Sequence, residues 1–193
     1  MLKDIVLKNR SFRKFIANSA VSYSALEALI DIARVTPSSK NIQPLKYLLL
    51  NEKADTDYVF ERLKWAWYLK DWSGPTEDQR PPAYIVMLLD KNLNDHAMID
   101  AGIASQTILL GAVEQGLGGC IIRTVNRFEI QKHFNLPDHL EIILVIALGK
   151  PDQIVKLTDI DQAGNIEYFE DQNKIHYVPK RSLNEVIINK KKP

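Results

Sequence analysis

The sequence predicts an α+β protein in which a mixed central sheet is flanked by helices. Three observations carry that prediction. Segments with helical apolar spacing and short apolar runs follow one another without strict alternation, which disfavours a doubly wound parallel sheet. The 193 residues are enough for one domain with a real core, and residues 1–193 are read as a single domain without repeat or linker. A composition of 46% hydrophobic and 25% charged residues excludes disordered and low-complexity classes.

Taken in order, Leu2 to Lys8 reads as a short amphipathic helix and Asn9 to Ser22 as irregular. Ser24-Ala-Leu-Glu27 has the form of a capping box, so a helix is expected to open there. Leu26, Leu29, Ile30 and Ala33 make its apolar stripe, and Pro37 stops it. Leu45 to Leu50, bounded by Pro44 and Asn51, is a predicted strand. Tyr58 to Leu69 is expected to be helical, and Lys70 to Pro82, with Gly74, Pro75, Pro81 and Pro82, to be a loop. The aromatics Trp65, Trp67, Tyr68 and Trp72 read as core or interface residues in preference to a substrate wall. Ala83 to Leu89 is a predicted buried strand. Met98 to Gln115 is a predicted helix, apolar or small nearly all round, and therefore buried on several sides or placed in a subunit interface. Gly116 to Gly119 breaks it before a strand at Cys120, Ile121 and Ile122. Phe128 to Phe134 should be a short helix and Leu140 to Leu148 a strand. Asp152 to Asn173 shows no periodicity; Ile175 to Val178 is a last strand, and Ser182 to Glu185 a second capping box.

The longest apolar runs, Tyr84 to Leu89 and Ile142 to Leu148, fall far short of the roughly 20 residues of a membrane span. No apolar signal region follows the basic start, so the chain is read as cytoplasmic, with no membrane partner. The single Cys120 can make neither an internal disulfide nor a zinc site. A net charge of +1 argues against a dedicated nucleic-acid binder. The charge is nevertheless uneven. Residues 1–14 hold five basic groups against Asp4, and residues 174–193 hold six against Glu185, while 15–173 hold 14 basic and 22 acidic residues. Should the ends meet, they would form one anion site on a neutral protein. Lys190 to Lys192 read as a solvated tail, and the acidic middle outweighs a nucleic-acid role for the basic ends.

The four histidines, 96, 133, 139 and 176, have no metal-ligand spacing, and no Gly-x-Ser-x-Gly elbow occurs. Gly116-Leu-Gly-Gly119 lacks the dinucleotide spacing and precedes a strand; it serves either a tight turn or the close approach of something flat. Cys120, with no histidine near it in sequence, reads as a small hydrophobe and not as a nucleophile. Lys180 and Arg181, just before the cap Ser182, have the form of a phosphate cradle. Arg10, Ser11 and Arg13 offer two guanidinium forks and a hydroxyl, which converge only if the segment turns. In Pro37 to Pro44, the side chains of Ser38, Asn41 and Gln43 suit the edge of a planar heterocycle, or an ordinary solvated loop.

Arg10-Ser-Phe-Arg-Lys-Phe15, Pro37-Ser-Ser-Lys-Asn-Ile-Gln-Pro44, Asp100-Ala-Gly-Ile-Ala-Ser-Gln106, Gly116-Leu-Gly-Gly-Cys120 and Pro179-Lys-Arg-Ser182 together resemble the nitroreductase family of FMN-dependent oxidoreductases. The resemblance spans nearly the whole chain, in the family's order. It implies an α+β homodimer with FMN at the subunit interface, reduced by NADH or NADPH and reoxidised by small electron-poor acceptors such as nitroaromatics, quinones or conjugated carbonyls. By the same resemblance Arg10, Ser11 and Arg13 hold the phosphate and ribityl groups, and Lys180 with Arg181 complete the phosphate site. Pro37, Ser38, Ser39, Asn41 and Gln43 approach the flavin, partly from the other subunit. The backbone of Gly119, Cys120, Ile121, Ile122 and Arg123 lines the isoalloxazine near N5. One departure is Arg123-Thr124, where many members carry a small pair. No catalytic side chain and no metal is assigned, since the flavin carries the chemistry. The alternative is a flavin-binding sensor without turnover, which steady NAD(P)H consumption with an acceptor distinguishes.

Overall fold

A strand that is apolar at nearly every position needs cover on both faces, and two such strands organise this chain. The computed structural model describes residues 1–188 and divides them into two units. The first comprises Met1–Trp65 and Ser73–Asp152; the second comprises Ala66–Trp72 and the chain from Gln153 onward.

The first unit holds helices α1 (Leu2–Lys8), α2 (Tyr23–Arg34), α3 (Lys53–Phe60), α4 (Met98–Glu114) and α5 (Arg127–His133). Its strands are β1 (Leu45–Leu50), β2 (Ala83–Asp90), β3 (Gly118–Ile122) and β4 (Leu140–Gly149), in the order β1-β2-β4-β3. Alternate β2 side chains divide two cores. Ala83, Ile85 and Met87 meet Leu26 and Leu29 of α2 and Ala104 and Ile108 of α4; Tyr84, Val86 and Leu88 meet Phe15, Val59 and Ile130 on the other face. The β2–β4 register slips after Met87, which opposes Leu144 while Leu88 opposes Ile142. Ile143 is therefore the extra residue of a bulge, and Ile142 turns to the same core as Val145 and Ala147.

The second unit is a small sheet, β5-β7-β6, of β5 (Ile154–Asp159), β6 (Phe169–Glu170) and β7 (Ile175–Lys180), followed by α6 (Leu183–Val186). Tyr168 stands against Tyr68, with ring centroids 5.0 Å apart, and accepts the Tyr68 N–H on its hydroxyl.

The α+β class is as expected, but the four-stranded sheet pairs antiparallel throughout. Mixed pairing belongs to the small sheet, and next to β3 to a single parallel bridge between Ser11 and Gly119. Several elements depart from expectation. The cap of α2 is Ser22, whose hydroxyl accepts the Ala25 N–H at 3.1 Å, and Ser24 lies inside the helix. The helix expected over 58–69 runs earlier and ends at Phe60, because Leu63 bridges to Val125 and the Lys64 N–H is taken by the Thr124 carbonyl at 3.0 Å. Two strands occupy the stretch expected to be irregular, 152–173; β5 lies largely exposed and so carries no apolar alternation to read. The basic run Lys190 to Lys192 lies outside the described residues. Among the described residues no helix is long and apolar enough to cross a membrane.

Candidate functional site

The Arg10–Arg13 segment does turn. The Phe12 N–H is shared between the Arg10 carbonyl at 2.9 Å and the Gly119 carbonyl at 3.0 Å, a tight turn about Ser11 that fastens the segment beside the start of β3. Arg10 sends one terminal nitrogen back to the Val6 carbonyl at 2.6 Å, and Arg13 bonds the Ser11 carbonyl at 3.3 Å. The Arg10 Nε is buried without a hydrogen-bond partner among the described residues, and burial holds its guanidinium below the ordinary value. Such a donor is one that an anion would satisfy. Two predicted groups of site residues, 10–13 and 119–123, are thus brought together. β3 is an edge strand, and past the Ser11–Gly119 bridge its outer edge is paired with no strand among the described residues.

The glycines of β3 have a reason of their own. A Cβ on Gly118 would strike the Phe12 ring, and one on Gly119 would strike the Ala147 carbonyl and Leu109. The flat neighbour of Gly118 is therefore a side chain of this chain. The Cys120 side chain points into the core with Ile122 and Ile130, and burial pushes its thiol up, only partly opposed by the Arg13 charge. That suits the small-hydrophobe reading.

The loop 37–44 is fastened elsewhere. Ser38 Oγ donates to Asp100 Oδ2, the Ser39 N–H reaches Asp100 Oδ1 at 3.1 Å, and the Gln43 N–H closes back on Ser38 Oγ at 2.9 Å. Lys40, Asn41 and Gln43 all sit at positive φ, 50°, 57° and 53°. Three residues other than glycine in that region cost strain, which the buried Asp100 helps to offset. Pro37, Ser39, Asn41 and Gln43 remain exposed, beside a cavity of about 170 Å³ bordered by Ser38, Gln43, Tyr47 and Asp100. Burial, and after it the Asp100 charge, push the Tyr47 hydroxyl up to about 12. Asp100 lies nine residues before Leu109, the residue against which Gly119 packs, a distance of about 14 Å along α4. Within one chain the loop and the β3 edge are therefore held at different points of α4.

After β3 the chain turns at Arg123 to Asn126, and Arg127 fastens the turn. Its guanidinium donates to the carbonyls of Ile142 at 2.9 Å, Ile143 at 3.1 Å, Arg123 at 3.1 Å and Val125 at 3.5 Å. The first two are the bulge carbonyls of β4. Asp100, which the sequence offers only as the start of a resembling segment with no role, and Arg127, which it does not single out, are positioning residues. An acidic residue in the first turn of an otherwise apolar helix was the available signal for Asp100; a bulge leaves none for Arg127.

In the second unit, Lys180 ends β7 and Arg181 precedes α6. The cradle expected there is already served. The Glu185 carboxylate takes the Ser182 N–H at 2.8 Å and its hydroxyl at 3.0 Å, and Arg181 at 3.3 Å, which together hold Glu185 below the usual carboxylate range. A helix of four residues adds little dipole. The aromatic group is divided: Trp65 packs on Phe60 with centroids 5.9 Å apart, whereas Trp67 is 84% exposed.

An iodotyrosine deiodinase of Thermotoga neapolitana is 24% identical over 169 residues, covering 79% of this chain and 89% of its own. A 4-nitrobenzoate reductase of Pseudomonas putida is 24% identical over 193 residues, covering 77% and 85%. The solved structure of an FMN-dependent nitroreductase from Clostridium difficile R20291 superposes with a TM-score of 0.62 at 25% identity, covering 77% of this chain and 87% of that one. The sequence profile of the nitroreductase family matches residues 6–150, from α1 to the end of β4 and so across the turn at Ser11, the loop held by Asp100 and the β3 edge, and the chain belongs to that family.

Proposed function

We propose that this protein is an FMN-dependent oxidoreductase that passes electrons from NADH or NADPH to small electron-poor acceptors, nitroaromatics, quinones or conjugated carbonyls, and that it works as a cytoplasmic homodimer. The observation that carries the reading is the hydrogen bond from the Phe12 N–H to the Gly119 carbonyl, which sets a turn rich in cationic donors against a free strand edge. The residues present suit FMN. Arg10 holds a buried, unsatisfied donor, Ser11 and Arg13 add a hydroxyl and a second fork, and the outer edge of β3 is open to a planar ring.

Arg10, Ser11 and Arg13 would hold the phosphate and ribityl groups, while the backbone from Gly119 to Arg123 would orient the ring. When bound, FMN would supply the redox chemistry, taking hydride from NAD(P)H and giving electrons to the acceptor. Asp100 keeps the 37–44 loop in its strained shape, so that Pro37, Ser38, Ser39, Asn41 and Gln43 present a fixed polar surface. The separation of that loop from the β3 edge along α4 favours its service in the site of a second copy. α4 supports the same conclusion: Met98 and Ile99 are 51% and 77% exposed, and Ile103, Leu110 and Val113 are only half covered. Relatives named for 4-nitrobenzoate and iodotyrosine favour small aromatic acceptors.

The test is the absorption spectrum of the purified protein with mass analysis of the released cofactor, followed by steady NAD(P)H consumption with a nitroaromatic or a quinone. A flavin spectrum, FMN by mass and sustained turnover are expected. FAD, or no flavin after reconstitution, overturns the cofactor assignment; bound FMN without turnover identifies a binding protein instead.

A further inference from the structure

We infer that the cleft between the first turn of α3 and residues 77–82 binds a small zwitterion of the free α-amino acid class, its carboxylate held by Arg80 and Tyr84 and its ammonium by Glu77 and Asp78. The cleft, of about 610 Å³, lies within the first unit and shares no residue with the Arg10–Arg13 turn, the 37–44 loop or the β3 edge. Two buried donors beside it, the Tyr84 hydroxyl and the Arg80 Nε, have no hydrogen-bond partner among the described residues. Tyr84 is 0% exposed, and its hydroxyl lies in the field of both Arg80 and Asp57, which line the cleft. Folded proteins rarely leave a buried donor empty, so an acceptor from outside the chain is the partner to look for. Arg80 is already in place to meet one. A face of its guanidinium rests on the Phe60 ring, 4.2 Å from the centroid, and one terminal nitrogen meets Asp57 at 3.5 Å.

The charges on the wall decide the class of ligand. Asp57 takes Lys53 at 2.7 Å as well as Arg80, and the two cations, Lys53 foremost, hold it below the usual carboxylate range. Two cations on one carboxylate leave one positive charge in the wall. The start of α3 adds to it, because Glu52 supplies no side-chain cap and the first N–H groups of the helix have no intrahelical acceptor. Glu77 and Asp78 line the same cleft, and both are exposed. Among the described residues their carboxylates make no ion pair or hydrogen bond. Their turn is fastened by its carbonyls: that of Asp78 takes the Ala17 N–H at 3.1 Å, and that of Gln79 the Phe15 N–H at 3.0 Å. A simple anion would meet these two acids, and a simple cation would leave Arg80 and Tyr84 unserved. A molecule with both a carboxylate and an ammonium answers both sets, and Ala17, Pro81 and Pro82 offer an apolar wall to its side chain.

The experiment titrates the full chain, as purified, by calorimetry at neutral pH with three probes of one shape. These are L-leucine, L-leucinamide, which lacks the carboxylate, and 4-methylpentanoate, which lacks the ammonium. Leucine should bind about tenfold more tightly than either analogue. Tyr84→Phe and Arg80→Gln should each weaken leucine about tenfold. Asp78→Asn should weaken leucine and leave 4-methylpentanoate no weaker. Because Tyr84→Phe removes only an unserved hydroxyl, the empty variant should melt no lower than the wild type. No leucine binding at millimolar concentration, or equal affinity in the wild type and Tyr84→Phe, overturns the site. Binding of 4-methylpentanoate as tight as that of leucine overturns the zwitterion class. A lower melting temperature for empty Tyr84→Phe means that the protein already serves the hydroxyl, and overturns the site as well.

Discussion

Asp100 accepts two hydrogen bonds from one loop, so its loss leaves both donors without a charged acceptor. Asp100→Ala should lower stability by about 2–3 kcal/mol in urea unfolding and speed proteolytic cleavage within 37–44, with Asp100→Asn intermediate because one oxygen remains. Unchanged cleavage would mean that the positive-φ residues hold their shape unaided. Tyr47 makes the alkaline limb testable. Its folded-state value lies near 12 against an ordinary 10, so between those values the unfolded chain has lost a proton that the folded chain keeps. Stability therefore falls as pH rises through that window, and Tyr47→Phe should flatten the fall. Tyr84, also pushed up by burial, leaves a residual slope. Cys120 belongs to the same scale: a buried thiol held above its ordinary value should resist alkylation in the native protein and react once urea unfolds the chain.

Among the elements, the β4 bulge and the turn after β3 stand or fall with Arg127. Arg127→Met strands four carbonyl acceptors and should cost about 2–4 kcal/mol, with Arg127→Lys recovering little because an ammonium cannot fork. Hydrogen exchange at residues 123–126 should quicken in both. That dependence also marks how far the sequence could be read. The strands read at Leu45 to Leu50, Ala83 to Leu89 and Leu140 to Leu148 were legible because apolar runs of strand length, interrupted only by Lys46 and Glu141, leave few alternatives. The start of α2 was misplaced by two residues because serines at 22 and 24 both satisfy a capping pattern, and only the backbone geometry chooses Ser22. The helix expected past Phe60 failed because the aromatics after it imitate helical spacing while the Lys64 N–H is already committed to Thr124. In the site, the cationic and polar segments could be read as motifs. Their mutual placement, and the parts played by Asp100 and Arg127, depend on tertiary approach that no local pattern encodes.

For the whole molecule, the uncovered face of α4 predicts a dimer. Light scattering should report twice the chain mass, and Ile99→Glu should give a folded monomer with weakened flavin binding, since Ile99 is 77% exposed and its loss opens no core. A wild-type monomer that keeps its flavin would refute both the interface and the shared site. The strand order has a different kind of consequence. β4 lies between β2 and β3, yet it is the last of the four to be synthesised, and no neighbouring pair in the sheet is joined by a tight hairpin. A nascent chain stopped before Leu140 therefore displays β2 with a bare hydrogen-bonding edge and one side of each core open, and every pairing awaits closure of a long loop. Emergence from the ribosome is consequently the interval in which this protein most needs a chaperone, and truncations short of β4 should aggregate.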